Sequence, residues 1–132
     1  LSDSGYSPER VVLTNRSFVK RNPELVAAFV RASLRGWEDY MHGDPEETHT
    51  VLRELNAANV PALNDYSHAA MMEYAVVEGD SKKGEALGLI DRDKLAQTIS
   101  TLLELGLIEN DIPLDRVIDY SILPAEVGSL TR

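Results

Sequence analysis

A chain of 132 residues carrying 22 acidic and 13 basic side chains has a net charge of −9, a field that repels phosphate backbones and anionic membrane surfaces and sets nucleic acid aside as a partner. The absence of cysteine excludes disulfides, thiol catalysis and thiolate metal sites. Apolar residues at 43% suit one globular domain, and no apolar run is long enough to span a bilayer.

Leu1 to Glu9 is polar, with Gly5 and Pro8 reading as loop, and it lacks the hydrophobic segment of a signal peptide. The chain does not begin with methionine and is expected to be a processed or cut piece of something longer. Arg10 to Thr14 (RVVLT) is the best strand candidate. With almost no second strand to pair with it, the segment is expected to join a sheet supplied elsewhere or to lie as an arm on the helices. Asn15 to Arg21 reads as a short helical turn.

Asn22 to Gly43 predicts the central helix. Asn22 is its cap and Pro23 takes the first helical position, where a missing N–H costs nothing. Leu25, Val26, Phe29, Val30, Leu34, Trp37 and Met41 recur at three- and four-residue steps and predict a core face holding the single tryptophan. Gly43 is expected to stop the helix in the left-handed conformation. Asp44 and Pro45 restart a helix with Val51, Leu52 and Leu55 inward, ending by Asn56–Pro61. A further helix is predicted from Asn64 to Val77, with Tyr66, Ala70, Met71, Tyr74 and Val77 inward. Glu78–Leu89 reads as a glycine-rich, charged surface loop. Asp91 caps a last helix with Leu95, Ile99, Leu102 and Leu103 inward, and Gly106 ends it with Leu107 folded back. The tail, Ile112–Pro124, is mostly apolar between two prolines. Helix follows helix, so the chain taken alone is mainly α.

Chemistry is sparsely marked. His42, His49 and His68 are the only imidazoles, with Glu46 and Glu47 near the first two. The helix break at Gly43–Pro45 leaves the first two without the fixed spacing of metal ligands, so all three read as solvated surface histidines and no metal is expected. Gly79–Gly84 has the glycine spacing of a phosphate-binding loop, but the lysine such a loop needs after its second glycine is Glu85 here. Asn15-Arg16-Ser17 matches the glycosylation triplet, a pattern that arises often by chance. Trp37, Tyr40 and Met41 suit a pocket for a planar ligand, although their helical spacing favours packing. No carboxylate is marked out as a general acid, and no catalytic residue is assigned.

Val11–Asn15 (VVLTN) followed by Ser17–Thr48 (SFVKRNPELVAAFVRASLRGWEDYMHGDPEET) resembles the C-terminal half of substrate-binding proteins of the NMT1/THI5-like and sulfonate-binding group. Gly88–Asp91, Leu95–Ile108 and Asp115–Pro124 resemble later stretches of the same group in the same order. The resemblance implies the C-terminal portion of a type II periplasmic-binding-protein-like α/β fold, helix-rich with one or two short strands when isolated. Residues 1–15 would hold a crossover strand, 16–109 the helical part and 110–132 the tail. It further implies a small-molecule ligand such as a sulfonate or a pyrimidine precursor of thiamine, an ABC transporter permease as partner, no cofactor, and a periplasmic or membrane-anchored extracytoplasmic location. Tyr6 and Asn15, beside the crossover strand, are the expected cleft neighbours. The rivals are a thiamine-pyrimidine synthase, marked by iron and a consumed histidine, and a helical protein-interaction module. An apolar patch where the missing lobe should sit is expected to favour a homodimer of the isolated piece.

Overall fold

Pro23 begins a twenty-residue helix, the longest in the structure, which is a computed structural model describing residues 11–123. Five α-helices lie among the described residues: α1 (Arg16–Arg21), α2 (Pro23–His42), α3 (Glu46–Leu55), α4 (Pro61–Glu73) and α5 (Arg92–Glu104). Short 3-10 turns at Ser81–Lys83, Leu114–Arg116 and Tyr120–Ile122 complete them. None of these helices is long and apolar enough to cross a membrane. The chain divides into two compact units, one formed by Leu1–Ala27 with Leu89–Arg132 and the other by Ala28–Gly88.

In the first unit, the Asn15 side chain caps α1 by accepting the Ser17 N–H at 2.8 Å. Asp91 caps α5 through the N–H groups of Asp93 and Lys94. At its other end α5 closes as expected. Gly106 takes φ +67°, its N–H reaches the Leu103 carbonyl, and the Leu107 N–H reaches back to the Leu102 carbonyl at 2.9 Å. This is the paired closure of a Schellman motif, which only a left-handed residue permits without strain. The tail is strapped down by named bonds. The Tyr120 hydroxyl donates to the Ile90 carbonyl at 2.6 Å, and the Arg92 guanidinium lies 5.1 Å from the Tyr120 ring centre and 3.2 Å from Asp115. Arg16 donates to the Arg116 carbonyl at 2.9 Å.

The second unit holds the rest of α2, then α3, α4 and the loop to Gly88. Asp44 accepts the Glu46 N–H at 3.0 Å and so caps α3. Pro61 is the first residue of α4, three positions before the expected start, because proline at that position loses no hydrogen bond. Gly43 does end α2, but not in the left-handed region. A Cβ there would stand 2.5 Å from the Asp39 carbonyl oxygen, so close approach is what requires glycine.

Three expectations are corrected. Residues 11–15 form no strand, and Leu13 is 87% exposed (Arg10 lies outside the described residues). A strand's backbone groups need a neighbouring strand, and the described residues supply none. The fold is therefore helix-rich without strands over this range. Secondly, α2 does not bury its whole apolar arc. Val26 and Met41 are buried, whereas Leu25, Phe29 and Trp37 are exposed, Trp37 by 42%. Finally, α4 ends at Glu73 and faces inward with Asn64 and His68, while Tyr66 (71% exposed) and Tyr74 face out. Both sides of α4 carry apolar groups, so its pattern does not fix which one turns in.

Candidate functional site

Three helices converge on one imidazole. His49 sits in the first turn of α3, where its N–H bonds the Pro45 carbonyl, and the helical phase turns its side chain inward while Glu46 and Glu47 face out. Only 2% of it is exposed. Tyr40, from the last turn of α2, places its hydroxyl 3.2 Å from His49 Nε2. Asp65, from α4, places a carboxylate oxygen 3.5 Å from His49 Nδ1. Asn64, also buried, makes a long 3.5 Å bond from its amide to the His49 carbonyl.

Burial raises the Tyr40 phenol above its ordinary value, so it keeps its proton at neutral pH. The Asp65 carboxylate can only accept, which favours the imidazole hydrogen on Nδ1; in that tautomer Nε2 accepts from the Tyr40 hydroxyl, and in the other it donates to it. His68 Nε2–H donates to the Tyr40 carbonyl at 2.8 Å and satisfies one of the four carbonyls that a helix leaves open at its C-terminus. The rings meet edge-on: Tyr40 and His68 at 4.9 Å, Tyr40 and His49 at 5.8 Å, Trp37 and Tyr40 at 6.1 Å. Such T-shaped contacts are the packing geometry that aromatic quadrupoles favour.

The reading of all three histidines as solvated is thus corrected for His49, and His68 is half-buried. The signal was present in the helical phase of α3, since His49 lies three positions before the half-buried Leu52. Val51 and Leu55, expected inward, are exposed. His42 remains exposed and pairs with Glu78 at 2.5 Å. Glu46 is held by Arg53 at 2.6 Å, and the hydrogen bond and charge of that guanidinium lower its carboxyl below the ordinary value. Among the described residues, no three His, Asp or Glu side chains gather as a cation-holding group.

The expected cleft residues are placed unevenly. Tyr6 lies outside the described residues. Asn15 is exposed, and its side-chain oxygen accepts from both the N–H and the hydroxyl of Ser17, the latter at 2.7 Å. A hollow at the α1–α2 corner is lined by the consecutive residues Arg21 to Leu25, so it gathers no side chains from separate elements. In the Gly79–Gly84 loop the Asp80 N–H donates to Glu85 at 2.8 Å, which fills with a carboxylate the place a phosphate loop reserves for its ligand.

The sequence pattern of the NMT1/THI5-like family matches residues 2–48. The chain is similar to that family over its first third. This NMT1/THI5-like match takes in Asn15, α1 and α2 with Tyr40, and it stops one position before His49. A formylaminopyrimidine-binding protein of Halalkalibacterium halodurans is 29% identical over 63 residues, which make up 48% of this chain and 19% of that protein. The aligned part thus spans under one fifth of the relative's length. Each likeness covers less than half of the chain. No solved structure matches the chain significantly.

Proposed function

We propose that this chain is the C-terminal part of a two-lobed protein that captures a small pyrimidine for an ABC-type importer and performs no chemistry on it. The likeness to a formylaminopyrimidine-binding protein carries this reading, and the family match over residues 2–48 agrees with it. In this mechanism two lobes close on the ligand as a hinged clamp, outside the cytoplasm, and a permease receives the ligand when they open. Tyr6 and Asn15 are the residues of this chain assigned to the cleft. Ser17 holds the Asn15 oxygen, so the amide nitrogen is what Asn15 would offer a ligand.

Isothermal titration of the full-length polypeptide with formylaminopyrimidine, and separately with an alkanesulfonate, tests the proposal. Saturable binding of the pyrimidine at one site, with the ligand recovered unchanged, is the expected result. Binding of the sulfonate alone would move the ligand class, and silence from both would end the solute-binding reading. Release of a new pyrimidine in the presence of iron, with loss of mass from a histidine, would assign the synthase-like activity instead.

The exposed Leu25, Phe29 and Trp37 on α2 favour a second reading, a helical protein-interaction module. It calls for a dimer or a protein complex in sedimentation and for indifference to every pyrimidine.

A further inference from the structure

α4 turns one side to its neighbours and keeps a second row of large side chains outside. Asn64 and His68 point inward, to the His49 and Tyr40 carbonyls. Leu63, Tyr66 and Ala70, with Tyr74 at the C-cap, recur at three- and four-residue steps, which sets them in one row on another side of the helix. Leu63 is exposed, and Tyr66 and Tyr74 are exposed by 71% and 69%. No described residue stacks on either tyrosine ring or bonds either hydroxyl. Val60, just before α4, and Val76, just after it, are exposed as well. Tyrosine is a flat, stiff side chain with a polar tip, so covering it costs little conformational entropy, and it is enriched where proteins meet proteins.

Charge narrows what the row can meet. From Glu54 to Ser81 the chain has five carboxylates, Glu54, Asp65, Glu73, Glu78 and Asp80, and no lysine or arginine. Asp65, Glu78 and Asp80 face His49, His42 and Lys83, whereas Glu54 and Glu73 have no ion-pair partner among the described residues. Glu73 stands seven positions after Tyr66, two turns along the same side of α4. A cation brought to the row therefore meets aromatic faces and an unpaired carboxylate. Guanidinium suits them better than ammonium, because it is planar, lies flat on an aromatic ring and can give a carboxylate two N–H bonds. An anionic partner is repelled, and a second copy of this chain brings a like net charge of −9.

We propose that this row of α4 docks a basic protein segment, whose arginines lie on Tyr66 and Tyr74 and pair with Glu73 while an apolar side chain covers Leu63. The surface is independent of any solute the protein captures.

Calorimetric titration of the full-length polypeptide with a short, end-capped peptide of alternating arginine and leucine tests it. Saturable binding is expected, and the lysine counterpart of the peptide should bind more weakly, since an ammonium has no flat face to stack. Tyr66→Ala and Tyr74→Ala are each expected to lower the affinity about two- to fivefold, the range of a cation–π contact at an exposed site. Tyr66→Phe keeps the ring and should hold the affinity within about twofold. Absence of binding, equal binding of the two peptides, or an affinity unmoved by both alanine variants would overturn the proposal. Hydrogen exchange of the wild-type polypeptide with and without the arginine peptide gives a readout that needs no variant. Protection gained across α4 is expected, and protection gained only elsewhere overturns the assignment. Sedimentation showing a dimer that Tyr66→Ala disperses would give the row to a second copy instead.

Discussion

Tyr40 joins α2 to both neighbouring helices: its ring and hydroxyl meet His49 of α3, and its ring and backbone carbonyl meet His68 of α4. Tyr40→Phe keeps the ring and removes only the hydroxyl, leaving the buried His49 Nε2 without its hydrogen-bond partner. A loss of about 1–2 kcal/mol in urea denaturation at pH 7.5 is expected. Glu46 makes a different residue-scale prediction. Its carboxyl titrates lower in the folded chain than in the unfolded one, chiefly through the Arg53 hydrogen bond and then through its charge. A depressed acid stabilises the fold above its unfolded value, and that contribution disappears as pH falls through the folded value. The pair therefore helps at neutral pH and is lost in acid, below the ordinary carboxylate range. Arg53→Met is expected to return the Glu46 carboxyl towards its ordinary titration, read by carboxyl 13C shifts.

Helix ends decide much at the next scale. α4 closes with the same two reverse bonds as α5: the Ala75 N–H reaches the Met72 carbonyl at 3.3 Å, and the Val76 N–H reaches the Met71 carbonyl at 3.1 Å. Where α5 has Gly106, however, α4 has an alanine at φ +49°. A Cβ in the left-handed region costs about 1–2 kcal/mol, so Ala75→Gly is expected to stabilise the chain by about 1 kcal/mol in thermal or urea unfolding. Gly43→Ala runs the other way. Its Cβ meets backbone that cannot move without unwinding the end of α2, and a loss of about 1–3 kcal/mol follows. These ends also show what the residues disclosed. The caps at Asp44 and Asp91, the Pro23 start and the Gly106 stop are local chemistry, and each was legible from a few neighbours. The inward phase of α4 was not, since it depends on Asn64 and His68 finding partners on α3 and α2. The buried imidazole escaped for the same reason. Its inward phase could be read from Leu52 three positions on, but not that Tyr40, nine residues earlier, would cover it.

At the scale of the whole chain, buried apolar residues are few: among the described residues they are Val26, Met41 and Ile99. The exposed Leu25, Phe29 and Trp37 are then expected to bind a hydrophobic dye in the isolated chain. Phe29→Glu should change the stability of that chain by less than about 0.5 kcal/mol, the range of surface substitutions. In the full-length polypeptide the same change should cost several times more if further protein covers α2, and calorimetry of the two forms side by side checks this. The Arg16 bond to the Arg116 carbonyl joins residues a hundred positions apart, and its unit is assembled from both ends of the chain. The other unit is one uninterrupted stretch, from Ala28 to Gly88. During synthesis, then, the histidine-bearing half has all its parts as soon as Gly88 has left the ribosome, whereas the flanking half must wait for the tail. Long closures also form slowly. Pulsed hydrogen exchange during refolding should find α3 and α4 protected before α5. The birth order of this molecule would run from the middle of its chain outward.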